Sequence, residues 1–148
     1  MTLQETLTAE LKAAMVARNA DRTATLRLVK SALGYVQIEK KVDQLPDADV
    51  TAVLQREAKK RRDARDEYER GGRPELAAKE AAELVVIEEF LPKALSAEEL
   101  EALVRAVIAE TGATSKKDMG TVMKAAQARA AGRADGKVLS GIVGRLLP

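Results

Sequence analysis

The scarcity of aromatic side chains is the feature that most constrains this chain. Among its 148 residues only Tyr35, Tyr68 and Phe90 are aromatic. A core for a chain of this length must therefore be built from Leu, Val, Ile, Met and Ala. Ala and Leu are among the better helix formers, and aliphatic residues recur here at steps of three and four. The sequence thus predicts an all-α protein.

Capping signals place the ends of several of the seven helices that the periodicity predicts. Thr2 with Glu5 and Ser96 with Glu99 have the spacing of capping boxes. Asp135 is placed to cap the last helix. The continuous apolar run at 84–87 fits either a strand or a helix contacted on two sides. The helix-forming residues on both sides of it favour the helix, which we expect to be stopped by Pro92 with Leu91 as its last apolar position.

The third predicted helix carries the basic run Lys59–Arg62, followed within one turn by acids. Opposite charges four residues apart support an exposed helix. The run therefore predicts a solvated helix face that pairs with itself, and contact with an anion or RNA is the alternative. The expected pairs are Lys59 with Asp63, Arg62 with Asp66, and Arg65 with Glu69.

A linker at 92–95 is the best candidate for a domain boundary, because Pro92 interrupts the helical pattern and Ser96 starts a new helix. We expect an N-terminal domain of about four helices at 1–92 and a C-terminal tail domain of three helices at 96–148. Apolar spacing predicts the side chains that close the cores. Those expected inside are Met15, Met119, Met123, Val138, Ile142 and Leu146.

Positive charge is concentrated in the tail. Residues 112–148 contain seven Lys or Arg and two acids, a net charge of +5, whereas the whole chain has +2. Gly132 is expected to close a helix in the left-handed conformation, in a turn that carries cations. A compact basic helical surface of this kind indicates a polyanionic partner. Solubility alone is the other explanation of these charges. Because the tail has no aromatic ring for stacking bases, structured RNA recognised by shape and phosphate contacts fits best.

Several reactive groups are missing. Without His and Cys the commonest general base, the thiolate nucleophile and zinc sites built on His or thiolate are excluded. No nucleophile elbow and no phosphate-binding glycine loop occurs. The acids Glu80, Glu83, Glu88 and Glu89 lack the spacing of a divalent-ion loop. We therefore predict no catalytic residue, no metal site and no cofactor.

The first residues lack the pattern of a signal peptide, and no apolar run approaches the length that spans a membrane. A soluble cytoplasmic protein without membrane association is expected.

Motifs along the whole chain resemble those of the YqeY-like family. The tail carries Met-Gly-x-Val-Met from Met119, then Gly-Arg-Ala-Asp-Gly from Gly132, then a closing apolar helix. This pattern resembles the GatB/YqeY tail domain shared with the B subunit of the glutamine-dependent aminoacyl-tRNA amidotransferases. Further landmarks follow in the family's order at 9–15, 26–29, 59–63, 72–73, 79–80 and 90–92.

The resemblance implies an all-helical fold and a tail that contacts tRNA. The positions it carries over as contacts are Lys124, Gly132, Arg133 and Lys137, and the charge pattern adds Lys116, Lys117 and Arg129. Three hypotheses remain open. The chain is a tRNA-binding accessory of glutamine-dependent amidation without its own active site, or a component of a carbon–nitrogen ligase with glutamine as amide donor, or a protein-interaction module with no RNA role. Amidotransferase subunits or an aminoacyl-tRNA synthetase are the expected protein partners. An amidation role requires such partners, because the chain has no amidase segment.

Overall fold

The computed structural model describes residues 1–148 and contains seven α-helices, one short 3-10 helix and no strand. This confirms the all-α prediction, including the helical assignment of residues 84–87. No helix combines the length and the apolar character needed to cross a membrane. The helices are α1 (Leu3–Val16), α2 (Ala20–Lys40), α3 (Asp47–Arg70), α4 (Pro74–Glu88), α5 (Ala97–Thr111), α6 (Met119–Ala130) and α7 (Gly136–Leu146), and the 3-10 helix is Lys116–Asp118.

Contacts divide the chain into two compact units, Met1–Leu91 and Pro92–Pro148. The N-terminal unit holds α1 to α4, and the C-terminal unit holds the 3-10 helix and α5 to α7. Independent folding of domains at 1–92 and 96–148 stays a prediction.

The N-terminal unit is organised around an aliphatic core to which all four helices contribute. The predicted capping box starts α1, since the Glu5 amide donates to Thr2 Oγ1 at 3.1 Å and the Thr2 amide lies 3.4 Å from Glu5 Oε2. Pro74 occupies the first turn of α4, where its missing amide hydrogen costs nothing. The buried members of the core are Leu7, Leu11, Ala14, Leu26, Val29, Leu33, Leu45, Val50, Val53, Leu54, Ala58, Leu84 and Ile87.

The loop before α3 also contributes to this core, through Leu45. The Leu45 amide donates to Gln4 Oε1 at 2.8 Å, and the Leu3 amide donates to Asp47 Oδ1 at 2.9 Å. A side chain of α1 thus supplies the partner that a buried loop amide needs. This loop is held in place by side chains of α1 and α2, since Gln37 of α2 also donates to the Asp43 carbonyl.

The C-terminal unit has its own aliphatic core, shared by α5, α6 and α7. Ser96 caps α5 by accepting from the Glu99 amide at 3.1 Å, and Gly112 ends it in the left-handed conformation with φ 69°. Met119 and Met123 pack against the core while partly exposed, as expected of gap-filling side chains. The buried members are Leu100, Val104, Val107, Val122, Ala126, Leu139, Ile142, Val143 and Leu147.

Two predicted core residues are at the surface. Met15 is 49% exposed and Val138 is 51% exposed. Both lie at the edge of an apolar stripe, because consecutive residues on a helix are about 100° apart. Met15 follows the buried Ala14, and Val138 precedes the buried Leu139.

Helix α4 ends earlier than expected, at Glu88 rather than at Pro92. The residue before a proline disfavours the helical conformation, so the chain leaves the helix before Pro92. Leu91 lies in the turn that follows and still packs partly against the N-terminal core.

Candidate nucleic-acid interface

The turn between α6 and α7 is built from left-handed residues. Ala131 has φ 48° and Gly132 has φ 79°. The helix therefore closes one residue earlier than predicted, with Ala131 as its cap and Gly132 continuing the turn. Asp135 then caps α7 as predicted, since its Oδ1 accepts from the Lys137 amide at 2.8 Å. The turn thereby sets the direction in which α7 leaves α6.

Arg133 belongs to the internal structure of this turn. Its Nε donates to the main-chain oxygen of Lys93 at 2.8 Å, and its own carbonyl accepts from the Leu95 amide at 2.9 Å. The side chain and the main chain of Arg133 therefore both hold the 92–95 segment. This use competes with the phosphate contact proposed for Arg133 from the sequence.

Two further cations of the tail are paired with acids of α5. Arg129 contacts the carboxylate of Glu110, and Arg145 Nη2 lies 3.3 Å from Glu101 Oε2. Glu101 also accepts from Arg105 Nη2 at 2.8 Å. The hydrogen bond from Arg105, and then that from Arg145, lower the pKa of the Glu101 carboxyl below its ordinary value. Two of the seven cations of the tail are thus paired with acids of α5.

Lys116, Lys117 and Lys124 are exposed and have no ion pair with the protein. Lys116 and Lys117 lie in the 3-10 helix directly before α6, and Lys124 lies in the second turn of α6. Gly120 and Thr121, both exposed, lie between them in the first turn of α6. Small side chains beside the lysines allow a phosphate backbone to approach the helix closely.

The start of α7 lies next to this side of α6. A Cβ atom on Gly136 would be 3.9 Å from Gln127 Nε2, and Gln127 is one turn after Lys124. Lys137, which is also exposed, follows directly. We name these four exposed side chains, Lys116, Lys117, Lys124 and Lys137, the lysine surface. Of these, Lys116, Lys117 and Lys124 have no acid partner in the protein, and Gly132, another predicted contact, contributes backbone shape alone.

The first three cations of the basic run, Lys59, Lys60 and Arg61, pair with acids of α3 itself. Lys59 Nζ lies 2.8 Å from Asp63 Oδ2, as predicted, whereas Arg65 contacts Asp66 at 3.3 Å instead of Glu69. Sequence reasoning missed that one of them, Arg61, is buried, with 6% of its surface exposed. Arg61 is three residues after the buried Ala58 and seven after Leu54, so it extends the apolar side of α3.

Two carboxylates neutralise Arg61. Its Nη1 donates to Glu57 Oε1 at 2.9 Å, and its Nε lies 3.3 Å from Glu83 Oε2 on α4. The contact with Glu83 is ionic, because the Nε atom has no well-directed hydrogen bond. A guanidinium that is enclosed and paired in this way cannot reach RNA. No group of three or more His, Cys, Asp or Glu side chains is arranged to hold a metal ion.

Comparison with known proteins gives the family. The model of the family described as Yqey-like protein matches residues 4–147, nearly the whole chain. The chain belongs to the YqeY-like family. A relative is an uncharacterized protein of Schizosaccharomyces pombe, 31% identical over 91 residues, which cover 62% of this chain and 73% of the yeast protein.

Proposed function

We propose that this YqeY-like protein is a cytoplasmic accessory that binds structured RNA, and tRNA in the first place, through the lysine surface. The observation that carries the proposal is the exposure of Lys116, Lys117 and Lys124 without an acid partner, on a tail of net charge +5. Ammonium groups of this kind bind phosphates as point charges. Binding would follow the shape of the RNA rather than its sequence.

Salt dependence of tRNA binding tests the proposal. Replacing Lys116, Lys117 and Lys124 by Gln should weaken binding of different tRNA transcripts to a similar extent. The slope of log K against log salt should become shallower by about 0.7–0.9 for each phosphate that the protein no longer neutralises. Fluorescence anisotropy at several salt concentrations measures both quantities.

A matched variant removes the same charge from the N-terminal unit. Lys12, Arg70 and Lys79 are exposed and carry no ion pair with the protein, so their replacement by Gln should leave the slope unchanged. Equal slopes for the two triple variants would mean that tRNA binding does not use the lysine surface.

The absence of an active site in the isolated chain forms the second half of the proposal, and its support is the lack of His and Cys. Purified protein should neither hydrolyse glutamine nor amidate mischarged Glu-tRNA. In cells, an amidotransferase or an aminoacyl-tRNA synthetase would supply the chemistry. Turnover by a homogeneous sample that disappears when one acidic or hydroxyl side chain is changed would instead identify the chain as an enzyme.

A further inference from the structure

An apolar row runs along the outer side of α2. Leu28, Tyr35, Ile38 and Val42 follow one another at helical spacing, with Ser31 in the gap. Tyr35 and Ile38 are 75% and 77% exposed, and Leu28 and Val42 are about half exposed. The core of the unit is packed by the other side of the helix, with Leu26, Val29 and Leu33. The row is therefore not needed to hold the N-terminal unit together.

A basic row runs beside the apolar one. Its members are Arg27, Lys30, Gly34, Gln37 and Lys41, again at steps of three and four, and none is an acid. The side chains of Arg27, Lys30 and Lys41 form no hydrogen bond or ion pair with the protein. The neighbouring Lys40, by contrast, is paired with Asp49 on α3 at 3.0 Å.

The two rows meet at Gly34, whose missing side chain leaves a notch between them. Apart from the backbone of α2 itself, no atom lies within 4 Å of the place where a Cβ on Gly34 would stand. Next to it is an open hollow of about 400 Å³, lined by Gly34, Gln37, Ile38, Lys41, Val42 and Asp43. The Val42 amide donates to the Gln37 carbonyl at 3.0 Å and keeps Val42 beside the last turn of α2. The hollow thus has an apolar wall, and its rim carries the cation of Lys41 and the carboxylate of Asp43.

We propose that this face of α2 docks an amphipathic helix of a partner protein, with acidic residues along one edge of its apolar stripe. From Leu28 to Ile38 the row is about 15 Å long, which about three turns of a partner helix match, and Val42 lies beside its end. An apolar side chain of the partner enters the notch at Gly34. The acidic residues of the partner helix pair with Arg27, Lys30 and Lys41.

Other occupants fit less well. RNA gains nothing from Leu28 and Ile38, and Glu39 at the other edge of the row and Asp43 at the hollow repel phosphates of RNA or of a lipid surface. A bilayer is flat and does not fill a notch. A second copy that packs antiparallel on α2 brings its own basic row against this one, so like charges meet.

Two synthetic peptides of about 20 residues test the proposal with the full-length protein. Both carry the same Leu stripe, one flanked by Glu and the other by Lys. The Glu-flanked peptide should bind, measured by anisotropy, and the Lys-flanked peptide should bind at least about tenfold more weakly. Equal binding of the two, or no binding of either up to about 1 mM, overturns the proposal.

Variants locate the binding face. Tyr35→Ser with Ile38→Ser, and separately Gly34→Leu, should each weaken the Glu-flanked peptide by about tenfold or more. Gly34→Leu fills the notch and raises helix propensity, so an unchanged or higher melting temperature shows that weaker binding is not unfolding. Val85→Ser removes an exposed apolar side chain from α4 and should have no effect. Unchanged binding by the α2 variants contradicts the proposal.

Three further measurements identify a different occupant. Sedimentation equilibrium detects self-association, flotation detects binding to phosphatidylglycerol vesicles, and anisotropy detects binding to tRNA. If the Tyr35/Ile38 variant abolishes any of these without affecting the Glu-flanked peptide, the α2 face has another role and the proposal is wrong.

Discussion

Arg133 donates from Nε to the main-chain oxygen of Lys93 at 2.8 Å. The bond joins the turn between α6 and α7 to the first residues of the C-terminal unit. The Leu95 amide donates a second hydrogen bond, to the Arg133 carbonyl at 2.9 Å. A residue whose position in a glycine turn suggests ligand binding is thus fixed by the fold itself.

Replacing Arg133 by Gln should therefore lower the free energy of unfolding, while the affinity for RNA should change little. We expect a loss of about 1 kcal/mol in the free energy of unfolding, because the Lys93 carbonyl loses its charged donor. Urea unfolding of the full chain followed by circular dichroism measures it. Lys116→Gln removes the same charge from an exposed, unpaired side chain of the same unit and should cost less than about 0.5 kcal/mol.

The roles of Arg133 and Lys116 should separate in tRNA binding as well. Arg133→Gln should leave the salt slope close to that of the wild type, whereas Lys116→Gln should reduce it. A reversed order, with a shallower slope for Arg133→Gln and unchanged stability, would make Arg133 a phosphate contact after all.

Part of this interface could be predicted from the sequence. The cap at Asp135, the turn and the excess of cations follow from local residue types, because caps and turns depend on neighbours in the chain. The pairing of Arg129 with Glu110 and of Arg145 with Glu101 joins residues far apart in sequence. Charge counting treats all seven cations of the tail alike, so it cannot separate paired from exposed ones.

Arg61 should be among the residues of the N-terminal unit that are most costly to replace. Its guanidinium is enclosed between Glu57 and Glu83, so Arg61→Ala removes the cation from two poorly solvated carboxylates and leaves Glu57 with Lys60 alone, at 3.4 Å. We expect a loss of about 3–5 kcal/mol in the free energy of unfolding. Arg61→Met keeps the apolar stem and should cost less than Arg61→Ala. Chemical denaturation of both variants gives the comparison.

Lys59→Ala is the matched control for Arg61, two residues away on the same helix. Lys59 is exposed and pairs with Asp63 one helical turn away, so Lys59→Ala should lower the free energy of unfolding by about 0.3–0.5 kcal/mol. If the two alanine variants lose equal stability, the buried ion pairs of Arg61 contribute little.

The helices themselves were the most predictable part of the structure, because period and capping are local. The predictions of burial were wrong at Met15 and Val138, which lie at the edges of apolar stripes. One helical step of about 100° separates core from surface there, and the neighbouring helix decides which side is covered. Leu45 was missed for a different reason, because this loop residue is buried by helices distant in sequence and its amide is bonded to Gln4 of α1.

Glu101 should make the C-terminal unit sensitive to acid. Hydrogen bonds from Arg105 and Arg145 lower its pKa in the folded state below the ordinary 4.5. The ion pairs therefore stabilise the fold at pH values above the unfolded-state pKa, and this contribution disappears as the pH falls through the lower folded-state pKa. Glu101→Gln should melt below the wild type at pH 7, and the difference should shrink toward zero as the solution is acidified below pH 4.5.

Glu67→Gln provides the comparison for that experiment, since Glu67 is exposed on α3 and makes no side-chain ion pair. Its melting temperature should follow the wild type at every pH. A Glu101→Gln deficit that stays constant from neutral to acidic pH would mean that poorer packing, rather than the loss of the ion pairs, causes the difference.

Two valines of α7 measure how much a buried side chain contributes to the stability of the C-terminal unit. Val143 is fully buried in its core, whereas Val138 is half exposed on the same helix. Val143→Ala should lower the free energy of unfolding by about 1.5–3 kcal/mol, and Val138→Ala should be neutral or slightly stabilising because Ala is the better helix former.

Ile142→Ala, which deletes a larger buried side chain, should largely unfold a unit of this size. If residues 96–148 form a domain, the full-length Ile142→Ala protein should lose the helicity and protease resistance of α5–α7 while α1–α4 persist, and the isolated 96–148 fragment should be helical. A single cooperative loss of all helicity would mean that the chain unfolds as one body, and the separable RNA-binding tail would then have to be abandoned.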